Sequence, residues 1–300
     1  MILVFSNDNE RTTIEVIRWL VIMNKDFLHI HEDEVFEIKI IKKRFLLQSQ
    51  KNSFFLDDIE SVWYRRGGLQ FKRLQYNNDS INIHMNEAQH WLEDYVLSTL
   101  ESKNHVNKQT KVHINKLLVL EYAQKTGFDV PNYFLAENTD EITLNQTITK
   151  AITGNVILDS IFNNQDGIMY TTIVEKQEKQ SFFISFFQEK IEKDFEIRTF
   201  YIKGECMSMA IFSQNDEQTK TDFRKYNNKR PNRNIPYKLP QEIESKINEI
   251  MQALDLNCGS LDFIKSGDKY YFLEINPVGQ FANVAYHCNY PLFKKIAECL

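Results

Sequence analysis

The chain opens on a short apolar run, Ile2 to Phe5, turns polar at Ser6-Asn7-Asp8, and then changes its hydrophobic period from strand-like to helical. Glu10 to Met23 reads as an amphipathic helix, with Ile14, Ile17, Trp19 and Leu20 near helical spacing. Short strands follow at Val35 to Ile41 and Ser61 to Tyr64. Asn86 to Ser102 reads as a second helix, with Trp91, Leu92 and Tyr95 on its apolar side. After the polar run Glu101 to His113 the pattern restarts: Asn115 to Thr126 is helical, with Leu117, Leu118, Leu120 and Ala123 as its buried side, and Gly127 and Val130-Pro131 stop it. Strands are expected at Thr147 to Ala151, Val156 to Asp159, Met169 to Val174, Phe182 to Phe187, Glu196 to Ile202 and Met207 to Phe212. A helix is expected at Gln241 to Leu254, and a terminal helix from Pro291. This alternation predicts an α/β (α+β) protein in three parts, residues 1–108, 109–187 and 188–300.

The most informative pattern lies late in the chain. Ser260-Leu261-Asp262-Phe263-Ile264 and Tyr270-Tyr271-Phe272-Leu273-Glu274-Ile275-Asn276 are strand-like, and Ser266-Gly267-Asp268-Lys269 between them is turn chemistry, so an antiparallel hairpin is expected. Side chains alternate along a strand, which puts Glu274 and Asn276 on one face. A three-residue loop, Gly267-Asp268-Lys269, sets Asp262 opposite Glu274, whereas a two-residue loop puts them on opposite faces; the odd-length loop is our expectation. Two carboxylates about 4 Å apart repel by roughly 4 kcal/mol at an effective dielectric near 20, so such a pair calls for a cation or a shared proton. Two carboxylates and an amide oxygen suit Mg²⁺ better than zinc. The alternative is an ordinary hairpin with solvated acids.

Composition adds limits. Over 300 residues the chain is 42% hydrophobic and 26% charged, ordinary for a globular protein. Its net charge of -5 argues against a nucleic-acid partner. No apolar stretch approaches a membrane span, and the start lacks the flanks of a signal peptide. The four cysteines, Cys206, Cys258, Cys288 and Cys299, show no metal spacing and read as reduced thiols of a cytoplasmic protein. His29 and His31 share a strand face without a third ligand nearby, which favours ordinary histidines over a metal site.

Several further residues carry candidate chemistry. Lys116 opens a helix, and Lys150 sits among apolar and β-branched neighbours; each is either a solvated residue or a point-charge partner for phosphate. Asn163-Asn164-Gln165-Asp166-Gly167 is either a loop closing over phosphates or a plain hairpin turn. Gln188-Glu189-Lys190-Ile191 leads out of a very apolar strand, and such a connector offers backbone groups to an adenine edge. Glu196 and Arg198 share the next strand's face: Glu196 is suited to ribose hydroxyls and Arg198 to a phosphate or carboxylate, unless the two form a surface ion pair. Arg224, Lys225, Lys229, Arg230 and Arg233 concentrate positive charge, either as a collecting patch for acidic substrates or as a solvated loop.

Taken in order, Asn115-Lys116, Ala123, Gly127, Val130-Pro131, Lys150, Gln188-Glu189-Lys190-Ile191, Glu196-Ile197-Arg198, Leu261-Asp262-Phe263 and Glu274-Ile275-Asn276-Pro277 resemble the ATP-grasp carboxylate-amine ligases over most of residues 113–280. Within them, Val62-Trp63-Tyr64-Arg65-Arg66, Asp222-Phe223-Arg224-Lys225-Tyr226, Pro236-Tyr237-Lys238-Leu239-Pro240 and Asn276-Pro277-Val278-Gly279-Gln280-Phe281 resemble the graspetide, or microviridin-type, synthetases, and most of all the grasp-with-spasm branch.

That resemblance implies an ATP-grasp fold, an N-terminal α/β domain and two domains that clamp ATP. The implied activity is phosphorylation of Asp or Glu side chains of a ribosomal precursor peptide, followed by attack of a Thr or Ser hydroxyl or a Lys amine. Carried over by position, Lys116 and Lys150 contact phosphates, Gln188, Glu189, Lys190 and Ile191 frame the adenine, and Glu196 meets the ribose. Asp262, Glu274 and Asn276 take Mg²⁺, while Arg198 and Arg224 hold acyl-phosphate charge. A SPASM-domain partner and a homodimer are also implied. A glycine-rich phosphate loop is not evident after Lys150, where Ile152-Thr153-Gly154-Asn155 runs straight into an apolar stretch. Two other readings stay open: a ligase adding a free amino acid to a protein or small acid, and a nucleotide-binding module without chemistry.

Overall fold

The computed structural model describes every residue except 141, 154–156, 163–164, 178–180 and 226. The chain divides into two compact units, Met1–Val112 with Pro291–Leu300, and His113–Tyr290. The last ten residues therefore cluster with the first unit and not with the segment that precedes them. No helix among the described residues is long and apolar enough to cross a membrane.

In the first unit the opening strand Ile2–Ser6 is buried along its whole length and lies inside a parallel sheet, ordered Phe27–His31, Ile2–Ser6, Ser61–Tyr64, Asn104–Val106. A strand buried on both faces reads as a continuous apolar run, which is why Ile2 to Phe5 shows no alternation. The helix Arg11–Ile22 crosses between two of these strands. Its buried residues are Thr12, Thr13, Val16 and Leu20, while Ile14 is exposed, so the inward face is turned from the one the apolar spacing suggests. The reason is polar: Glu10 caps the helix through the Thr13 N–H and hydroxyl, and Thr13 bonds the Ser6 hydroxyl below it. Glu10 is held in turn by the buried Arg65 guanidinium at 2.8 Å. Burial works against the Glu10 carboxylate, yet Arg65 and Thr13 pull its pKa down to about 2. Arg65, without a definite role in the sequence, thus fixes the crossover helix to the sheet.

A second helix spans Asp79–Glu101, longer than the expected Asn86 to Ser102. Trp91, Leu92 and Tyr95 do not face the core; they are exposed, and Glu93, Val96 and Leu100 are buried instead. A four-stranded sheet, Ser53–Phe55, Arg44–Gln48, Val35–Ile41 and Gln70–Phe71, completes the unit.

The second unit holds the acidic hairpin. Its larger sheet is antiparallel throughout, ordered Arg233–Tyr237, Glu205–Phe212, Phe195–Ile202, Cys258–Ser266, Lys269–Asn276. The helices Lys116–Lys125 and Gln241–Ala253 supply Val119, Leu120, Ala123, Ile247, Ile250 and Met251 to the core under this sheet, against Ile197, Leu261, Phe263, Phe272 and Ile275. In the first of these helices Leu118 faces solvent and Val119 is buried in its place. The smaller sheet runs Thr172–Ile173, Thr147–Thr149, Ser185–Glu189, Tyr133–Ala136, and the ribbon Ile157–Phe162 pairs with Gln165–Ile168. The expected strand Val156 to Asp159 is thus shifted onward. Met169 to Val174 keeps only Thr172–Ile173 as strand. The Asn163-Asn164 turn and part of the stretch after Lys150 lie outside the described residues.

Candidate functional site

Register decides the site. Asp262 pairs directly with Glu274, as expected, but not by the expected route. Ser266 pairs with Lys269, so the loop is the two-residue Gly267-Asp268, with Gly267 at φ +53°. Left regular, that loop would set Asp262 against Leu273. The ladder shifts by one residue between Asp262 and Phe263, where Phe263 pairs with Phe272 and Asp262 with Glu274, and Leu273 is the extra residue of a β-bulge. The bulge restores the pairing that an odd loop would have given. It also turns both Leu273 and Glu274 toward one cleft.

Arg198 enters from the adjacent strand, where it is the direct partner of Asp262. Its Nε and Nη2 donate to the two carboxylate oxygens at 2.8 and 2.7 Å, a bidentate pair. Burial opposes the Arg198 charge, but Asp262 outweighs it and raises the guanidinium pKa. The expected alternative, an ion pair between Glu196 and Arg198, does not form: Glu196 bonds Lys193 instead. Lys116, at the start of its helix, donates to Glu274 Oε2 at 3.2 Å. Glu274 is half-buried, and Lys150 and Lys116 overcome the cost of that burial to hold its pKa below the usual carboxylate range.

Lys150 is the cation without an acid of its own. Among the described residues it makes no ion pair; its ammonium lies 5.7 Å over the Phe186 ring, in the fields of Glu274, Lys116, Asp262 and Arg224. Burial lowers its pKa. Arg224 is fixed by Asp222, whose buried carboxylate accepts from Arg224 Nη2 at 2.6 Å and from the Thr171 N–H at 2.9 Å. That grip raises the Arg224 pKa.

Apart from Lys116, these groups line a cavity of about 230 Å³ floored by Ile148 and Gln188 of the smaller sheet, with Lys150 just past its strand, and by Ile197, Arg198, Asp262, Phe263 and Glu274 of the larger. That is room for a ligand, given that one liquid water takes about 30 Å³. The connector Glu189-Lys190-Ile191 forms one wall. The Glu189 and Lys190 N–H groups are bound to the carbonyls of Asn132 and Gln146, which leaves the Ile191 N–H without a backbone acceptor among the described residues. Gln188 is 1% exposed and neither atom of its amide has a partner. A buried amide in that state calls for a polar partner, whether a water, an ion or a ligand. Glu196, 8% exposed, has its carboxyl pushed up to about 7 by burial, which Lys193 only partly offsets.

Lys193 and Leu273 line the cavity and carry no signal in the sequence, while Asp222 and Phe223, part of the Asp222-Phe223-Arg224 motif, have no role of their own there. Lys193 bonds both Glu196 and the Thr221 carbonyl, and Phe223 lies 5.3 Å beneath the Arg198 guanidinium. The Asp-x-Arg spacing of Asp222 and Arg224 is a visible signal; nothing local marks the bulge at Leu273. Asn276 is exposed and outside the cavity lining, opposite Ser260, whose buried hydroxyl has no partner. Among the described residues no three His, Cys, Asp or Glu side chains gather as a metal cluster. The two carboxylates fit Mg²⁺, which binds through one or two carboxylates and completes its shell with waters and phosphate oxygens.

No family profile matches the chain, and no curated protein matches it. Solved structures do. The macrocyclase MdnC from Microcystis aeruginosa MRC, bound with precursor peptide MdnA, is 23% identical over 100% of this chain and 99% of its own, at a TM-score of 0.74. A RiPP-associated ATP-grasp ligase from Chryseobacterium gregarium, in complex with ADP and a leader and core peptide, is 23% identical over 100% of this chain and 96% of its own, at 0.75. The ATP-grasp ligase PsnB, complexed with minimal precursor, Mg and ADP, is 13% identical over 99% and 95%, at 0.67. The chain has the ATP-grasp fold over its whole length.

Proposed function

We propose that this chain is an ATP-dependent ligase that activates Asp or Glu side chains of a ribosomally made precursor peptide as acyl phosphates and joins them to Thr or Ser hydroxyls or Lys amines, closing ester or amide rings. The observation that carries the reading is Lys150: a half-buried cation that makes no ion pair among the described residues, set beside two carboxylates that other cations already hold. Such a lysine lacks an anion, and a phosphate supplies one. The likeness to MdnC and to the Chryseobacterium ligase, both solved with peptides, supports a peptide as the acid.

Residues from 109–187 and from 188–300 form the two sides of the nucleotide site. Lys116 and Lys150 bind phosphate oxygens, the Ile191 N–H and the Gln188 amide face the base, with Glu189 and Lys190 framing it, and Glu196 accepts from the ribose. Asp262, Glu274 and Asn276 hold Mg²⁺, which supplies neutralisation of triphosphate charge. The terminal phosphoryl passes to a carboxylate oxygen of the peptide and ADP leaves. Arg198 and Arg224 face the doubly charged acyl phosphate. The hydroxyl or amine then bonds the carbonyl carbon, loses its proton, and phosphate departs with the former carboxylate oxygen. The protein's contribution is position and charge. In this reading the protein works in the cytoplasm as a homodimer, beside a SPASM-domain partner.

Co-expression with a short precursor rich in Thr and acidic residues tests this by mass. One water lost per ring, dependent on ATP and Mg²⁺, is expected, and Lys150→Ala is expected to slow the loss by about a hundredfold. A mass gain would point to amino-acid addition, and an unchanged peptide with ATP bound but no ADP formed would point to a binding module.

A further inference from the structure

The connector between the strands Ser185–Glu189 and Phe195–Ile202 is pinned at both ends. At one end the Lys190 N–H bonds the Gln146 carbonyl; at the other the Asp194 N–H bonds the Lys265 carbonyl, and the Asp194 carboxylate accepts from the Gly267 N–H at 2.9 Å. Between the pins, Lys190 pairs with the exposed Glu192, whereas Lys193 turns inward with its side chain only 7% exposed. A lysine ordinarily keeps its ammonium in water, and a buried one costs free energy unless it is well paired. Lys193 has two acceptors, Glu196 Oε1 and the Thr221 carbonyl at 3.2 Å. The other oxygen of that carboxylate, Oε2, has no hydrogen bond among the described residues, and both side chains line the cavity.

We infer that Lys193 is the positioning residue of sugar recognition: it clamps one oxygen of the Glu196 carboxylate so that the other stands ready to accept from a ribose hydroxyl. The inference rests on the ribose role proposed above for Glu196 and adds the residue that fits Glu196 for it. Geometry carries the first half of the argument. The Thr221 carbonyl fixes the ammonium from one side, and the ammonium in turn fixes Oε1, which sets the rotation of the carboxylate and leaves Oε2 as the free acceptor. Charge carries the second half. Burial, Asp262 and Asp222 all disfavour an ionised Glu196, and Lys193 is the cation that works against them. The ionised form matters because a hydrogen bond to a charged acceptor contributes about twice what a neutral pair does. The competing account makes Lys193 a mere tie between the connector and the Thr221 segment. Such a tie would hold the cavity's shape without regard to the sugar.

Titration calorimetry of the intact protein with ADP and with 2′,3′-dideoxy-ADP, both in Mg²⁺, separates the two. Wild type is expected to prefer ADP by about thirtyfold, the loss that follows when a charged acceptor goes unpaired. Lys193→Met is expected to weaken ADP by on the order of tenfold and to leave the dideoxy nucleotide nearly unchanged, so that the preference narrows to about threefold. Glu196→Gln should narrow it likewise, and the double variant should lose no more than Glu196→Gln alone, since Lys193 acts through Glu196. The far-ultraviolet spectrum checks that each variant folds; Lys193→Gln, which keeps a donor for the Thr221 carbonyl, replaces Lys193→Met if that variant does not. A lysine variant that weakens both nucleotides equally, or losses that add in full in the double variant, overturns the inference and leaves the role of Glu196 standing. A wild type that binds both nucleotides alike overturns the ribose role of Glu196 and Lys193 with it, and one that binds neither overturns the nucleotide site.

Discussion

Glu196 is the cleft residue whose charge changes near neutral pH, since burial lifts its carboxyl from the ordinary 4.5 to about 7. The folded chain therefore prefers it protonated. A group raised in this way contributes its full stability below 4.5 and loses it as the pH climbs through about 7. Glu196→Gln keeps a neutral side chain at every pH, so urea unfolding should show the wild type losing up to about 3 kcal/mol relative to the variant between those two values. Parallel pH profiles for the two proteins would refute the account of Glu196. Arg198 and Lys116 act differently: each already neutralises one carboxylate of the acidic pair, at 2.7 to 3.2 Å, and so makes the pair tolerable inside a cleft.

At the scale of elements, the hairpin and the segment after it depend on two glycines in the left-handed region. Gly267 has nothing within 4 Å of where a Cβ would stand, whereas a Cβ on Gly279, at φ +67°, would come within 3.0 Å of Phe200. Gly267→Ala should cost about 1 kcal/mol from backbone strain alone, and Gly279→Ala should cost about 1 kcal/mol more because the buried Phe200 has to yield. Equal losses in chemical denaturation would contradict this account of the two glycines. The same elements show what the sequence makes legible. The opening strand and helix, the central strand Phe195–Ile202 and the late acidic hairpin follow from period and turn chemistry, whereas strands such as Arg44–Gln48, Tyr133–Ala136 and Arg233–Tyr237 are not marked by them. The loop length was misjudged because a bulge is a tertiary choice: two residues turn the chain and Leu273 is displaced to recover register. Helix faces were misjudged where partners distant in sequence satisfy polar groups, as Arg73 does for Glu93 and as Ser6 and Arg65 do around Thr13 and Glu10. Apolar periodicity alone carries no record of such partners.

For the whole molecule, the arrangement in the second unit brings the cations Lys150, Arg198 and Arg224, the acid pair Asp262 and Glu274, and the buried Gln188 amide, unpaired among the described residues, into one cavity. Sequence likeness alone finds no match, while the fold is shared with ATP-grasp ligases along the entire chain. The proposed chemistry is read from the cavity. The central step of the proposed reaction, transfer of a phosphoryl group to a side-chain carboxylate, would leave an isotopic trace. A precursor peptide whose Asp and Glu carboxylates carry heavy oxygen should release phosphate with one heavy oxygen per ring closed, read by the phosphorus resonance shift. Phosphate that carries none, formed while rings close, would contradict activation through an acyl phosphate and with it the role given to the cleft.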